Sequence, residues 1–320
     1  MINIEKVCKN YGDKTVINQV SLEVAEGQTL ALLGTSGSGK TTLLKMINYL
    51  IPPSSGNIYI AGQDNSKIDV ANLRKRIGYV IQQVGLFPHY TIRENIELVL
   101  KLEGHSQEDR QNRSDELLRL VGLDASVGER YPSELSGGQQ QRVGIARAMA
   151  NDPPLILMDE PFGALDPITK QALIGELLNK QLFKEKTVVL VTHDVFEAIT
   201  LADTICLLDA GEIQQIGTPK QLLFSPCSTF VKNFFDGQRF RLELQVTTLA
   251  EICPFISSSI DTKNPNLSHS MEQSVWELLE QIEDRQLAGV TINGDEMNTK
   301  SATPEALNQA FYDFKKSEFS

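Results

Sequence analysis

Gly34-Thr35-Ser36-Gly37-Ser38-Gly39-Lys40-Thr41-Thr42 is a glycine-rich segment from which the fold of this chain can be predicted. A continuous apolar run, Thr29–Leu33, precedes it and predicts a buried parallel strand. Good helix formers follow it as far as Pro52-Pro53, where a helix must stop. A glycine-rich turn between a strand and a helix is the context that the pattern G-x-x-x-x-G-K-[ST] requires. The stretch therefore predicts a phosphate-binding loop.

The side chains and backbone of this loop predict what it holds. Successive backbone N–H groups would face phosphate oxygens, and the start of the helix adds partial positive charge there. Lys40 would reach the β- and γ-phosphates, and the Thr41 hydroxyl would coordinate Mg²⁺. The residues expected to contact the nucleotide are Gly34, Thr35, Ser36, Gly37, Ser38, Gly39, Lys40, Thr41 and Thr42.

Two carboxylates end a second buried strand. Leu155–Met158 is apolar, and Asp159 and Glu160 follow it directly. Charges do not lie at the end of a buried strand without a partner. We expect Asp159 to hold Mg²⁺ through water and Glu160 to act as the general base for an attacking water. The alternative is that both are solvated loop acids.

Three other polar side chains are candidates for the same site. Gln82 follows the strand Ile77–Ile81; it could give its carbonyl oxygen to Mg²⁺ or to water, or be a solvated loop residue. His193 follows the strand Val188–Thr192, at the edge where such sheets bind ligands, although a lone histidine there is usually structural. Tyr11 could stack on adenine or be an ordinary surface tyrosine.

A helical block interrupts the strands. Thr91 and Glu94 form a capping box, and a second helix is expected from Ser106 to Gly122. Leu135-Ser136-Gly137-Gly138-Gln139 then opens a third helix, whose first N–H groups could bind an anion, although Ser136 could be a plain N-cap. We expect a helical subdomain of about residues 84–150 inserted between strands.

Length, charge and composition limit the number of domains and the kinds of binding partner. The chain has 320 residues, which predicts about two domains, and a net charge of −11, which disfavours binding to nucleic acid. Residues 237–320 contain 13 acidic and 7 basic residues, a net charge of −6. This shift in composition predicts domains at 1–236 and 237–320. In the second domain Phe240–Thr247 alternates like a strand and two amphipathic helices follow, so we expect a small α+β fold without catalytic residues.

The sequence also predicts the compartment. Met1–Lys6 lacks the features of a signal peptide, and no apolar run approaches the ~18–20 residues needed to span a bilayer. The four cysteines are far apart, which favours free thiols in a reducing compartment. We expect a cytosolic protein that reaches a membrane only through a partner.

In this order the motifs resemble those of the ATP-binding subunit of an ABC transporter. The resemblance covers about residues 1–236 and implies a P-loop ATPase cassette, an α/β fold with a mixed-sheet core and the helical subdomain inserted. It identifies Gly34–Thr42 as Walker A, Gln82 as the Q-loop, Leu135–Gln139 as the signature motif, Leu155–Glu160 as Walker B, Gly163–Asp166 as the D-loop and His193 as the switch histidine. It implies an ATPase with catalytic residues Glu160, His193 and Gln82 and with Mg²⁺ held by Thr41, Gln82 and Asp159.

The resemblance also implies partners. In this family two ATPase subunits pair head to tail, and each ATP lies between one Walker A loop and the signature motif of the other subunit. Ser136, Gly137, Gly138 and Gln139 would then bind ATP held by a second copy or by a second ABC ATPase subunit. The segment Gln82–Pro88 would contact an integral-membrane permease at the cytoplasmic face of the inner membrane, and an extracytoplasmic solute-binding protein would complete the system.

One branch of the family is the most similar. Ile77–His89, together with Lys45–Asn48 and Met158–Pro167, resembles the importers of glycine betaine, choline and carnitine. Many of these carry two C-terminal CBS domains, and the 84 residues after Asp236 look like a degenerate half of such a pair. The alternatives are an importer ATPase for an amino acid or polyamine, and a soluble ABC ATPase that acts on DNA or ribosomes, which the acidic balance disfavours.

Overall fold

The computed structural model describes residues 1–82, 84–163, 165–179, 185–256, 270–287, 290–293 and 299–319. The chain forms two compact units, Met1–Ile216 and Gly217–Ser320. The predicted D-loop residue Ala164, and Gly294 of the second unit, lie outside the described residues.

The first unit contains ten strands and seven α-helices among its described residues. The strands are β1 (Ile2–Tyr11), β2 (Lys14–Val24), β3 (Thr29–Gly34), β4 (Ser55–Ile60), β5 (Gln63–Asp64), β6 (Ile77–Val80), β7 (Leu155–Asp159), β8 (Thr187–Val191), β9 (Thr204–Asp209) and β10 (Glu212–Gly217). The helices are α1 (Lys40–Ile47), α2 (Val70–Lys75), α3 (Ile92–Leu102), α4 (Gln107–Leu120), α5 (Gly137–Ala148), α6 (Pro167–Asn179) and α7 (Val195–Leu201).

A six-stranded sheet forms the centre of this unit, in the order β10-β9-β3-β8-β7-β6. Strand β3 pairs in parallel with β8 and β9, and β7 pairs in parallel with β6 and β8. Every residue of β3, β7 and β8 is buried, as the continuous apolar runs predicted. The carboxyl ends of β3, β6, β7 and β8 therefore meet at one edge, where the candidate site lies.

A second sheet and a helical block complete the first unit. Strands β2-β1-β4-β5 form an antiparallel sheet, so the core is mixed α/β, as predicted. Helices α3, α4 and α5 and two short 3₁₀ helices, Ala125–Glu129 and Pro132–Glu134, lie between β6 and β7. Buried Ile96, Leu117 and Val143 pack these helices around one core.

The second unit contains helices α8 (Pro219–Phe224), α9 (Thr229–Phe234), α10 (Arg239–Val246), α11 (Leu249–Ile252), α12 (Val275–Asp284) and α13 (Pro304–Glu318). Strands β11 (Val290–Asn293) and β12 (Thr299–Ala302) pair as an antiparallel hairpin. This unit has its own core, which includes Leu244, Leu278 and Phe311.

The strand predicted at Phe240–Thr247 is wrong, because this segment lies in α10. In a strand Glu243 would point away from Leu242 and Leu244, whereas all three are buried here. The Glu243 carboxylate accepts a hydrogen bond from the Lys315 ammonium of α13, which compensates for its burial. The alternation of polar and apolar residues therefore reflected a buried ion pair and not a strand with one face in water.

The units divide before the boundary predicted at residue 237. Helix α8 packs against α10, and the Arg239 guanidinium of α10 donates a hydrogen bond to the carbonyl oxygen of Leu223 in α8. Helices α8 and α9 therefore belong to the second unit. The composition shift marks where acidic residues become frequent and not where the packing divides.

Candidate nucleotide site

The loop after β3 has the curled backbone that the sequence predicted. Gly34, Gly37 and Gly39 have φ angles of 153°, 78° and 100°, in the region that favours glycine. A Cβ atom at Gly39 would lie 2.5 Å from Cδ1 of Ile17, and one at Gly34 would overlap the carbonyl oxygen of Leu208. Two of the loop glycines are therefore required both by their backbone conformation and by their neighbours.

Lys40 is the buried cation of this loop. Its ammonium lies 2.7 Å from the carbonyl oxygen of Thr35 and 2.9 Å from that of Gly34, and the residue is 6% exposed. Burial lowers the pKa of Lys40, while the carboxylates of Glu160 and Asp159 act in the opposite direction. A desolvated ammonium beside the start of a helix is suited to bind phosphate.

Thr41 and Asp159 are the predicted metal ligands that the fold brings together. The Thr41 hydroxyl donates a 2.8 Å hydrogen bond to Oδ1 of Asp159, which is 2% exposed. Burial raises the pKa of Asp159, although the bond from Thr41 and the charge of Lys45 oppose it. A hydroxyl and a buried carboxylate are hard oxygen donors, so these two residues fit Mg²⁺. The described residues contain no cluster of three His, Cys, Asp or Glu suited to a metal.

Glu160, the predicted general base, lies between the two other predicted catalytic residues. Its Oε2 accepts a 2.9 Å hydrogen bond from Nε2 of Gln82, and its Oε1 lies 3.3 Å from Nδ1 of His193. Glu160 has a φ of 47°, which is uncommon for a residue other than glycine. Because the Gln82 amide contacts Glu160, its role as a metal ligand stays a prediction.

These residues border one cleft of about 670 Å³. The predicted residues that line it are Ser36, Gly37, Gly39, Lys40, Thr41, Thr42, Gln82, Glu160 and His193. Gly34, Thr35, Ser38 and Asp159 are not among the residues that line it. The Thr35 hydroxyl donates a 2.7 Å hydrogen bond to Asp209 at the end of β9, so this side chain holds the loop in place.

Lys14 and Val16 also line the cleft, and the sequence analysis missed both. The pairing of β1 with β2 could have indicated Lys14, because it lies directly opposite Tyr11. Tyr11 itself does not line the cleft; its ring is half-exposed, 5.1 Å from the ammonium of Lys9. Adenine stacking by Tyr11 therefore stays a prediction.

The predicted signature motif lies away from this cleft. Ser136 is the N-cap of α5, and its hydroxyl accepts a 3.3 Å hydrogen bond from the backbone N–H of Gln139. In return, the side-chain Oε1 of Gln139 accepts a 3.0 Å hydrogen bond from the backbone N–H of Ser136. Within the described part of the chain, the N–H groups of Gly137 and Gly138 have no partner. A Cβ at Gly137 would meet only open space. The motif thus presents two free donors to whatever approaches from outside.

Comparison with known proteins decides the family. The ABC transporter family model matches residues 17–163. The glycine betaine uptake system ATP-binding protein YehX of Escherichia coli is 45% identical over 256 residues, which are 80% of this chain and 82% of that protein. The chain belongs to the ABC transporter family. The predicted cassette fold is confirmed by its similarity to the dimeric structure of the ATP-binding cassette MJ0796 bound to ADP and Pi. The superposition has a TM-score of 0.63 and 37% sequence identity, and it covers 68% of this chain and 98% of that one.

Other ABC transporter relatives are also similar to this chain. The glycine betaine/carnitine/choline transport ATP-binding protein OpuCA of Bacillus subtilis is 53% identical over 240 residues, 75% of this chain. The alignment spans 63% of the length of that relative. The osmoprotectant import ATP-binding protein OsmV of Salmonella typhimurium is 41% identical over 91% of this chain and 76% of its own. In the described residues no helix combines the length and apolarity that crossing a membrane requires.

Proposed function

We propose that this chain is the ATP-hydrolysing subunit of an ABC importer. The observation that carries the proposal is the position of the Glu160 carboxylate. It is held by Gln82 and His193 on the wall of the cleft that contains Lys40 and Thr41. A carboxylate beside a phosphate-binding loop is suited to accept a proton from the water that attacks the nucleotide.

Each residue of the site has its own role in ATP hydrolysis. The loop N–H groups and Lys40 bind the β- and γ-phosphates, and Thr41 and Asp159 hold Mg²⁺, which neutralises phosphate charge when bound. Water attacks the γ-phosphorus, its proton passes to Glu160, and the bond to the β,γ-bridging oxygen breaks to give ADP and phosphate. A positioned general base contributes about 10²–10⁴-fold to such a step, or roughly 3–5 kcal/mol.

We also propose that the working form is a dimer. The free N–H groups of Gly137 and Gly138 do not line the cleft of their own chain, so they would bind the γ-phosphate of ATP held by a second copy. Closing a dimer from about 1:99 to 99:1 needs roughly 5.5 kcal/mol, and charge-assisted bonds of about 1.5–3 kcal/mol each, over two sites, are of adequate size. The dimeric cassettes among the structural relatives support this arrangement.

A groove of about 370 Å³ on the first unit supports the proposed permease contact. It borders the segment Gln82–Pro88 and is lined by Tyr79, Phe87, Arg74, Lys75 and Arg147, among others. Phe87 is 47% exposed and Tyr90, whose ring is 5.5 Å away, is 41% exposed. A groove lined by apolar and basic side chains suits a short permease segment that carries apolar and acidic side chains.

The proposed solute is a quaternary ammonium compound of the glycine betaine, choline or carnitine type. The names of three relatives refer to transport of these compounds and that of a fourth to an osmoprotectant, and the similarity covers 75–91% of this chain. A solute-binding protein would deliver the solute, and the chain would work at the cytoplasmic face of the membrane. Uptake of labelled glycine betaine by cells that carry or lack this chain tests the solute.

The substitution Glu160→Gln tests the hydrolysis and the dimer together. The glutamine keeps the shape of the side chain and cannot accept the proton, so ATP binding should persist and turnover should fall by at least about 10²-fold. Because hydrolysis opens the dimer, the variant should elute as a dimer with ATP·Mg²⁺ and as a monomer without it. Glu26→Gln, on the exposed surface, is the control. Turnover within a few-fold of the wild type would contradict the general-base assignment.

A further inference from the structure

The residues before and after His193 belong to a network of hydrogen-bonded polar groups. The Thr192 hydroxyl accepts a 3.0 Å hydrogen bond from the N–H of Asp194 and donates to Oε2 of Glu197. Asp194 is the N-cap of α7, and its Oδ1 accepts hydrogen bonds of 2.9 and 3.3 Å from the N–H groups of Phe196 and Glu197. The residues immediately before and after His193 are therefore fixed by hydrogen bonds.

Lys170 of α6 supplies the positive charge of this network. Its ammonium lies 2.7 Å from Oε1 of Glu197 and 2.9 Å from Oδ2 of Asp194. The Glu197 side chain is only 4% exposed, so its charge requires a partner. Burial alone would lower the pKa of Lys170, but its hydrogen bonds to Glu197 and Asp194 raise it instead. The same interaction outweighs burial at Asp194 and lowers the pKa of that carboxyl.

The position of the His193 imidazole depends on this network. Its side chain is 66% exposed, so packing does little to fix it, yet Nδ1 lies 3.3 Å from Oε1 of Glu160. An exposed side chain keeps such a position only if the backbone that carries it is held in place. Thr192 and Asp194 hold that backbone, and Lys170 ties both of them, directly or through Glu197, to α6.

We propose that Lys170 is a positioning residue for ATP hydrolysis: its ammonium holds the segment Thr192–Asp194 so that the His193 imidazole contacts Glu160. This inference rests on the proposed function. Lys170 does not line the cleft and does not touch the nucleotide site directly. It acts on the reaction only through His193.

The test is a double-mutant comparison. Lys170→Met removes the ammonium and keeps most of the side chain, whereas Lys170→Arg keeps the charge and two hydrogen bonds. We expect Lys170→Met to lower kcat by about 10–100-fold, the effect of removing a group that orients a functional residue, with KM for ATP nearly unchanged. Lys170→Arg should recover most of the loss. In a His193→Ala background Lys170→Met should change kcat by less than about twofold, because the group through which it acts is gone.

An NMR measurement separates positioning from stability alone. The chain has four histidines, and the Cε1–H signal of His193 is assigned by its loss in His193→Ala. Lys170→Met should shift this signal and leave those of His89 and His105 in place. If Lys170→Met does not fold, Asp194→Asn makes the same comparison, since it keeps the capping oxygen and removes the charge that faces Lys170.

Two results would overturn the proposal while wild-type hydrolysis stands. One is a kcat of Lys170→Met equal to that of the wild type. The other is an equal loss in the presence and absence of His193, with an unmoved His193 signal, which would make the network purely stabilising. A wild-type protein that binds ATP and does not hydrolyse it would instead overturn the proposed function, and this inference with it.

Discussion

Two alanine substitutions in the phosphate loop separate strain from steric overlap. Gly34 is the last residue of β3 and pairs with Leu208 of β9. A Cβ atom there would lie closer than 3.0 Å to the carbonyl oxygen of Leu208, and 3.0 Å from Oγ of Ser38. Leu208 is fully buried in the central sheet, so its backbone has no room to move. Gly37 also has a positive φ, but a Cβ atom there would have no neighbour within 4 Å.

The structure gives a magnitude for each substitution. Gly37→Ala should cost only the strain of a left-handed residue, about 1–2 kcal/mol. Gly34→Ala adds overpacking against a fixed strand, about 1–3 kcal/mol more, for a total of roughly 2–5 kcal/mol. Since domains are stable by only about 5–15 kcal/mol, the second variant should be close to unfolding.

The assay is urea denaturation followed by far-ultraviolet circular dichroism. The single tryptophan, Trp276, lies in the second unit, so its fluorescence would not report on the loop. We expect the free energy of unfolding to fall further for Gly34→Ala than for Gly37→Ala, and ATP binding to be lost in the first and weakened in the second. Equal destabilisation by the two substitutions would refute the steric argument, because only one of them overlaps the neighbouring strand.

Three further predictions concern other parts of the chain. Tyr11→Ala should weaken ATP binding by about 1–3 kcal/mol in a calorimetric titration if the ring stacks on adenine, and equal affinity would make Tyr11 a surface residue. Burial raises the pKa of the Cys206 thiol to about 12, so its thiolate fraction at pH 8 is about 10⁻⁴. A thiol reagent should therefore label exposed Cys227 in the native protein and Cys206 only after unfolding, which peptide mapping would show. A chain that ends at Ile216 should keep basal ATPase activity. A chain that ends at Asp236 retains α8 without its packing partner α10 and should melt at a lower temperature. Identical turnover of the Ile216 truncation and the full chain at every salt and solute concentration would exclude regulation by the second unit.

The sequence predicted which residues the fold brings together where the signal is local. The glycine-rich loop, and the polar residues that end β6, β7 and β8, each follow an unbroken apolar run, and parallel strands bring such ends together without further information. The capping box at Ser136 is also local, because all its atoms lie within four consecutive residues.

The contacts that the sequence could not predict join residues far apart in the chain. Thr35 bonds Asp209, and Lys170 bonds Glu197, through pairings that depend on which helix or strand lies beside which. Val16 of β2 lines the cleft, and no motif surrounds it in the sequence. The error at α10 has a related cause: Phe240–Thr247 alternates like a strand, and Lys315, the partner of buried Glu243, lies 72 positions later.

For the proposed dimer, the hydrogen bonds of the candidate site indicate which groups would supply the free energy of closure. Lys40 already contacts the carbonyl oxygens of Gly34 and Thr35, Asp159 accepts from Thr41, and Glu160 contacts Gln82. Nucleotide and metal would largely exchange these bonds for new ones, and an exchanged hydrogen bond contributes little net free energy. The N–H groups of Gly137 and Gly138, in contrast, have no partner to give up among the described residues. In the proposed dimer, a phosphate held by a second chain would replace the water on these N–H groups with charge-assisted bonds and would break no hydrogen bond within the described protein. We therefore expect the signature motif to contribute more than the phosphate loop to the affinity between the two copies.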